Sequence, residues 1–125
     1  MTAIPSTHQT VMPYLMPAGA DRFIEFTKNV FGAELTHHSM RDDKLTGHCE
    51  IRIGGSTIMF SDALSGREPE TANLFIYVTS ADETFKKALQ AGATVLMDLS
   101  DQDYGRTCGV TDPFGNVWWI TSVSG

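Results

Sequence analysis

Apolar residues recur along this chain in two registers. At Phe23, Phe26 and Val30 they return at helical spacing, with Ile24 and Phe31 widening the stripe, so residues 21–31 predict an amphipathic helix. Gly32 suits the left-handed position that closes it. A second helix opens on the capping box Ser80-Ala81-Asp82-Glu83, carries Phe85 and Leu89 four apart, and stops at Gly92. Elsewhere the segments read as strands: about 33–41, 46–53 and 56–61 after the first helix, and about 94–99, 104–111 and 116–121 after the second. Asp42-Asp43, Gly54-Gly55 and Asp112-Pro113-Phe114-Gly115-Asn116 separate strands as turns. Val11 to Met16, demoted by Pro13 to an edge-like or irregular strand, precedes the first helix, and Leu74 to Thr79 precedes the second.

The order strand–helix–strand–strand–strand is therefore written twice. Ala20-Asp21 is answered by Ala81-Asp82, Gly32-Ala33 by Gly92-Ala93, and Gly55-Ser56-Thr57 by Gly115-Asn116-Val117, about 60 residues apart each time. One repeat is too few for a solenoid, so a pseudo-symmetric single domain is expected. The fold class is α+β: two βαβββ modules, about 11–62 and 73–121, forming one cup-shaped mixed sheet. A Ser-, Gly-, Glu- and Pro-containing linker at 63–72 joins them, and residues 1–10 read as a loose arm.

Alternation assigns the faces. Ile51 and Ile53, Ile58 and Phe60, Leu74 and Ile76, and Trp118 and Ile120 belong under the helices. The other face then carries His48, Glu50 and Arg52; Thr57, Met59 and Ser61; Asn73, Phe75 and Tyr77; Val117, Trp119 and Thr121; and Met12, Tyr14 and Met16. That mixed aromatic and polar surface suits a cup that receives a ligand or a partner.

Composition narrows the classes. With 125 residues there is room for one domain with a real core. Fifteen acidic against nine basic residues give a net charge of -6, which disfavours nucleic acid as a partner. No apolar run approaches the ~20 residues needed to cross a bilayer, and the start lacks a signal-type core, so a cytoplasmic protein without membrane contact is expected. Cys49 and Cys108 have no metal-ligand spacing and read as reduced thiols.

Phe23-Ile24-Glu25-Phe26-Thr27-Lys28-Asn29-Val30-Phe31-Gly32 and Asp112-Pro113-Phe114-Gly115-Asn116-Val117-Trp118-Trp119, in a duplicated module, resemble the vicinal oxygen chelate superfamily of glyoxalase, bleomycin-resistance and extradiol-dioxygenase proteins. Gly47-His48-Cys49-Glu50-Ile51-Arg52-Ile53-Gly54 and Gly105-Arg106-Thr107-Cys108-Gly109-Val110-Thr111-Asp112 are similar to its PhnB-like branch. The resemblance spans nearly all of residues 11–121 and implies a homodimer. It also implies a divalent ion held by His or Glu in the metal-dependent members. In this chain those positions carry Met12, Met59, Asn73 and Trp119, which offer thioether, amide and indole groups. These are poor ligands for a hard or borderline cation, so no metal and no cofactor is expected.

Several residues keep two readings each. His48 and Glu50, two apart on a strand, are either a base or alternative ligand pair, with Cys108, the repeat counterpart of His48, as the third ligand, or a hydrogen-bonded polar pair. His37 and His38 must face opposite ways. Trp119, Phe75, Tyr77 and Tyr14 give surfaces for stacking an aromatic or cationic compound, or else fill the cup or meet a second subunit. Arg106 either neutralises an anionic ligand group or is an exposed strand arginine. The expectation is a metal-independent protein binding a small, partly aromatic molecule through Met12, Tyr14, His48, Glu50, Met59, Asn73, Phe75, Tyr77, Arg106 and Trp119. The alternative is a metal-dependent lyase, isomerase or dioxygenase centred on His48 and Glu50.

Overall fold

Turn chemistry and alternation are realised almost element for element. The computed structural model describes residues 3–64 and 66–123, so the chain start at Met1 and Thr2, and Ser65 of the linker, lie outside it. The elements run β1 (Tyr14–Leu15), α1 (Ala20–Phe31), β2 (Glu34–Met40), β3 (Thr46–Ile53) and β4 (Ser56–Phe60). They continue as β5 (Asn73–Tyr77), α2 (Ala81–Gln90), β6 (Thr94–Gln102), β7 (Gly105–Thr111) and β8 (Val117–Ser122). The described strands form two four-stranded sheets, ordered β1-β4-β3-β2 and β5-β8-β7-β6. In each, the first strand pairs parallel with the last, and the remaining ladders are antiparallel. The duplication seen in the sequence is thus a duplication of strand order.

The chain divides into two compact units: residues through Lys28 with Gly32–Glu70, and Asn29–Phe31 with the chain from Thr71 onward. In the first unit, Leu15, Phe23, Phe26, Cys49, Ile51, Ile58 and Phe60 are buried, and the Phe23 and Phe60 rings meet edge to face at 5.0 Å. Helix α1 begins after Gly19, in the left-handed region with no cap from its own side chain. The buried Asp62 carboxylate, 42 residues beyond Ala20 along the chain, supplies the cap. It accepts from Gly19 N at 3.2 Å, Ala20 N at 2.8 Å and Thr46 N at 2.7 Å. Three donors that would otherwise be orphaned are satisfied at one acceptor group.

In the second unit the core holds Cys108, Val110, Trp118 and Ile120, with the Phe31 ring 4.5 Å from Trp118. The capping box forms as expected, Glu83 N donating to Ser80 Oγ at 3.2 Å. The helix stripe is narrower than the sequence suggests. Ala81, Thr84 and Ala88 are buried, whereas Phe85 and Leu89 are only half-buried. Small side chains let the helix lie close to the sheet, leaving the larger ones on its flank.

Strand alternation separates the faces. Cys49, Ile51, Phe60 and Ile58 pair on one side of the first sheet, and Cys108, Val110, Ile120 and Trp118 on one side of the second. Both cysteines are free and fully buried, and burial, before the neighbouring carboxylates, pushes each thiol up to about 11. An aromatic disulfide reagent at neutral pH is expected to modify neither in the native protein and both after denaturation. Labelling of the native protein at a free-thiol rate would contradict that burial.

Candidate functional site

Two side-chain arrangements occupy the faces turned away from the buried aliphatic rows, one in each unit. In the first, Tyr14, Met59 and Glu50 stand opposite one another across β1, β4 and β3, and His37 on β2 stands opposite Glu50. Glu50 binds two histidines: Oε1 lies 2.7 Å from His8 Nε2 and Oε2 lies 2.9 Å from His48 Nε2. Nδ1 of His48 is 3.1 Å from the Tyr14 hydroxyl. The Tyr14 ring stacks on His48 at 5.6 Å, and His37 flanks it at 5.5 Å. Burial works against the Glu50 charge, but the hydrogen bonds from His48 and then His8 outweigh it and hold the carboxyl below its ordinary pKa. The pair therefore exists as a bonded polar network, with both carboxylate oxygens occupied.

His8 was not among the expected site residues, and the arm that bears it is not loose. Gln9 Nε2 donates to the Thr57 carbonyl at 2.8 Å while Thr57 N donates to Gln9 Oε1 at 3.2 Å, so a side-chain amide pairs with the strand as another backbone would. Arg52 Nη1 and the Thr57 hydroxyl both donate to the Thr7 carbonyl. Thr57 is consequently buried although it faces away from the aliphatic row. These contacts join residues more than 40 positions apart, and no local pattern in the sequence announces them.

His37 and His38 do point oppositely. His37 joins the His48–Glu50 face, while His38 stands opposite Cys49 with Nε2 3.9 Å from Asp21. Met12 is half-buried and its sulfur accepts from Gln9 N at 3.4 Å.

In the second unit, Trp119 stands opposite Phe75 on β5 and Gly109 on β7. A Cβ at Gly109 would lie 2.6 Å from Cζ3 and 2.8 Å from Cε3 of Trp119, so the indole lies directly over the glycine backbone. Its Nε1 donates to Asn73 Oδ1 at 3.1 Å. Phase and hydrogen bond together fix the ring plane. Phe75, Tyr77 and Tyr104 are 51%, 68% and 54% exposed, and Phe75 meets Tyr77 edge to face at 5.2 Å and Tyr104 at 6.3 Å. Exposed aromatics clustered beside an anchored indole make an open stacking surface. Gly109 was not among the expected site residues, although a glycine in mid-strand is a signal that something approaches the backbone closely.

Two expectations are corrected. Arg106 does not share the face of Trp119. It has the parity of Cys108 and Val110, and its guanidinium grips Asp82 of α2 at 2.7 Å and 3.2 Å and Asp101 at 3.3 Å. That pairing, Arg106 first, holds the Asp82 carboxyl below its usual range. Arg106 ties helix to sheet. Cys108 is the counterpart of Cys49, not of His48, because it stands opposite Ile120 as Cys49 stands opposite Phe60. Cys108 is therefore buried in the aliphatic row of its own sheet and does not share the face of Gly109 and Trp119.

A family model described as the Glyoxalase/Bleomycin resistance protein/Dioxygenase superfamily matches residues 10–120. The chain belongs to that superfamily. A Mycobacterium bovis protein, Mb0911c, is 37% identical over 121 residues, spanning 85% of this chain and 78% of its own. Among solved structures, a PhnB protein from Bacillus cereus superposes with a TM-score of 0.75 at 19% identity, covering 92% of this chain and all (100%) of its own. TnmS3, described as an antibiotic binding protein from a Streptomyces species, gives a TM-score of 0.71 at 15% identity, covering 94% and 100%. These structural likenesses establish the shared βαβββ fold.

Metal-dependent members of the superfamily make a cation the natural thing to test against this donor set. Trp119 has no acceptor atom, Asn73 Oδ1 is taken by the indole, and Met12 and Met59 offer thioethers, so these positions do not fit a hard or borderline divalent ion. Among the described residues no group of three or more His, Cys, Asp or Glu side chains is placed to hold one.

Proposed function

We propose that this superfamily member binds a small, partly aromatic molecule on the face of the second sheet that carries Asn73, Phe75, Tyr77 and Trp119, and that it does so without a resident divalent ion. The anchored indole is the observation that carries this reading. Trp119 is held flat over Gly109 by a bond to Asn73, beside aromatic rings left open to solvent. A ring whose plane is already fixed loses little freedom when another ring stacks on it, so more of the contact energy appears as affinity. TnmS3, an antibiotic binding protein on the same fold, is consistent with a binding role.

The measurement is tryptophan emission during titration with a panel of polycyclic aromatic compounds, alongside elemental analysis of protein purified without a metal-affinity tag. Saturable quenching that persists in Trp118-only protein (Trp119→Phe) would place the binder elsewhere. A one-per-chain divalent ion surviving dialysis would overturn the metal-independent part of the proposal. The expected result is quenching by at least one planar compound that is lost with Trp119, and no stoichiometric metal.

A further inference from the structure

We propose that Tyr14, His48 and Glu50 form a proton-transfer site, in which the Tyr14 hydroxyl exchanges a proton with a small, neutral weak acid. Geometry assigns the roles. Glu50 accepts at both oxygens, so the hydrogen of neutral His48 sits on Nε2, facing Oε2 at 2.9 Å. Nδ1 is then the lone-pair nitrogen, and it faces the Tyr14 hydroxyl at 3.1 Å. The carboxylate orients the imidazole and stabilises the imidazolium that forms, the same logic that links acid, base and hydroxyl in hydrolytic triads. His8 occupies Oε1 at 2.7 Å and keeps the carboxylate from rotating away.

The step balances without a co-reactant. The H–X bond of the weak acid breaks, its electron pair staying on X, and the proton passes to the Tyr14 oxygen. The Tyr14 O–H proton passes at the same time to His48 Nδ1. Tyrosine ends neutral, and the products are the substrate anion and an imidazolium–carboxylate pair. A ligand already anionic would meet Glu50, and the chain's net charge of -6, as repulsion. A neutral acid does not. The groups facing His48 are Tyr14 on β1, His37 on β2, Glu50 and Arg52 on its own strand, and His8 from the arm through Glu50. None of these residues is one of those proposed to bind the aromatic molecule, so this inference and the proposed binding function can fail independently.

Benzenesulfonyl fluoride is a suitable probe, because it reports phenol activation directly. Phenol oxygen displaces fluoride from sulfur, and the base takes the proton. The three tyrosines provide internal controls: Tyr14 is 44% exposed, Tyr104 54% and Tyr77 68%. Accessibility alone would make Tyr14 the slowest. Base assistance should make it the fastest, by at least about tenfold, below the ~10²–10⁴ of a fully matched acid–base site. Peptide mapping of the native protein reads this without any variant. His48→Gln should bring Tyr14 down to the rate of the other two, and the wild-type Tyr14 rate should follow the titration of the His48 ring signal in NMR. Tyr14 reacting no faster than Tyr77 and Tyr104, or a folded His48→Gln protein that keeps the fast rate, would overturn the proposal.

Discussion

Replacing Asp112 by alanine is expected to remove about 3–5 kcal/mol of stability, a large share of the ~5–15 kcal/mol that holds an ordinary domain. The carboxylate is 4% exposed and accepts four hydrogen bonds. Oδ1 takes Phe114 N at 2.8 Å and Asn116 N at 2.9 Å, while Oδ2 takes Asn116 Nδ2 at 3.1 Å and Trp118 Nε1 at 2.8 Å. Asn116 and Trp118 are themselves buried, so water cannot replace the lost acceptor cheaply. Each orphaned donor costs about 1–3 kcal/mol, but the four share one local turn and will relax together, which keeps the total below their sum. Asp112→Asn should cost less, since one amide oxygen survives while the new amide hydrogens face Trp118 Nε1 or the turn. Urea denaturation of the three proteins measures it. A midpoint for Asp112→Ala equivalent to less than about 1 kcal/mol of loss would show that the turn holds without its acceptor.

The turn that Asp112 builds also explains where the sequence misled. Opposite Glu50 on β3 stands Met59, and opposite Gly109 on β7 stands Trp119. Met59 and Trp119 are equivalent at the offset of the glycine-bounded strands, whereas Glu50 and Gly109 are one step closer, because the backbone pair Asp112–Asn116 encloses three residues, 113–115, where Ile53 and Ser56 enclose two, Gly54 and Gly55. Carrying a single offset through both strands aligns His48 with Cys108 and so reverses the faces of β7. Since side chains alternate, that one-residue slip is enough to send Arg106 to the wrong side. Elements themselves were legible from periodicity, caps and turn residues, as α2 with Ser80 and the Gly32 closure of α1 show. The parity of His37 and His38 followed from strand geometry alone. The arm was not legible, because Gln9 reaching Thr57 and His8 reaching Glu50 are single polar contacts across the module. Nothing in a window of ten residues encodes them. They also make the two halves unlike: the first sheet's Thr57 lies beneath the arm, while Phe75 and Tyr77 of the second stay open.

That openness gives the second large effect, at a residue with no side chain. Gly109→Ala is expected to weaken binding of any planar compound found to quench Trp119 by at least about tenfold, or 1.4 kcal/mol. The new Cβ would stand 2.6 Å from Trp119 Cζ3, closer than any relaxed contact, so the indole must swing off the strand and give up its bond to Asn73. Gly109 is not among the positive-φ glycines, so the substitution strains the ring's position and not the local chain. Overpacking of this kind costs on the order of 1–3 kcal/mol in stability. Asn73→Leu separates orientation from room: it removes the acceptor but leaves space over Gly109, so it should loosen the ring and cost less affinity than Gly109→Ala. Trp118, buried and bonded to Asp112, provides an emission background that neither substitution touches directly. Titrations of the three proteins with the same compound decide the matter. Equal affinities would mean that the indole's placement over the glycine contributes nothing to recognition, and the stacking surface would have to be sought among Phe75, Tyr77 and Tyr104 alone.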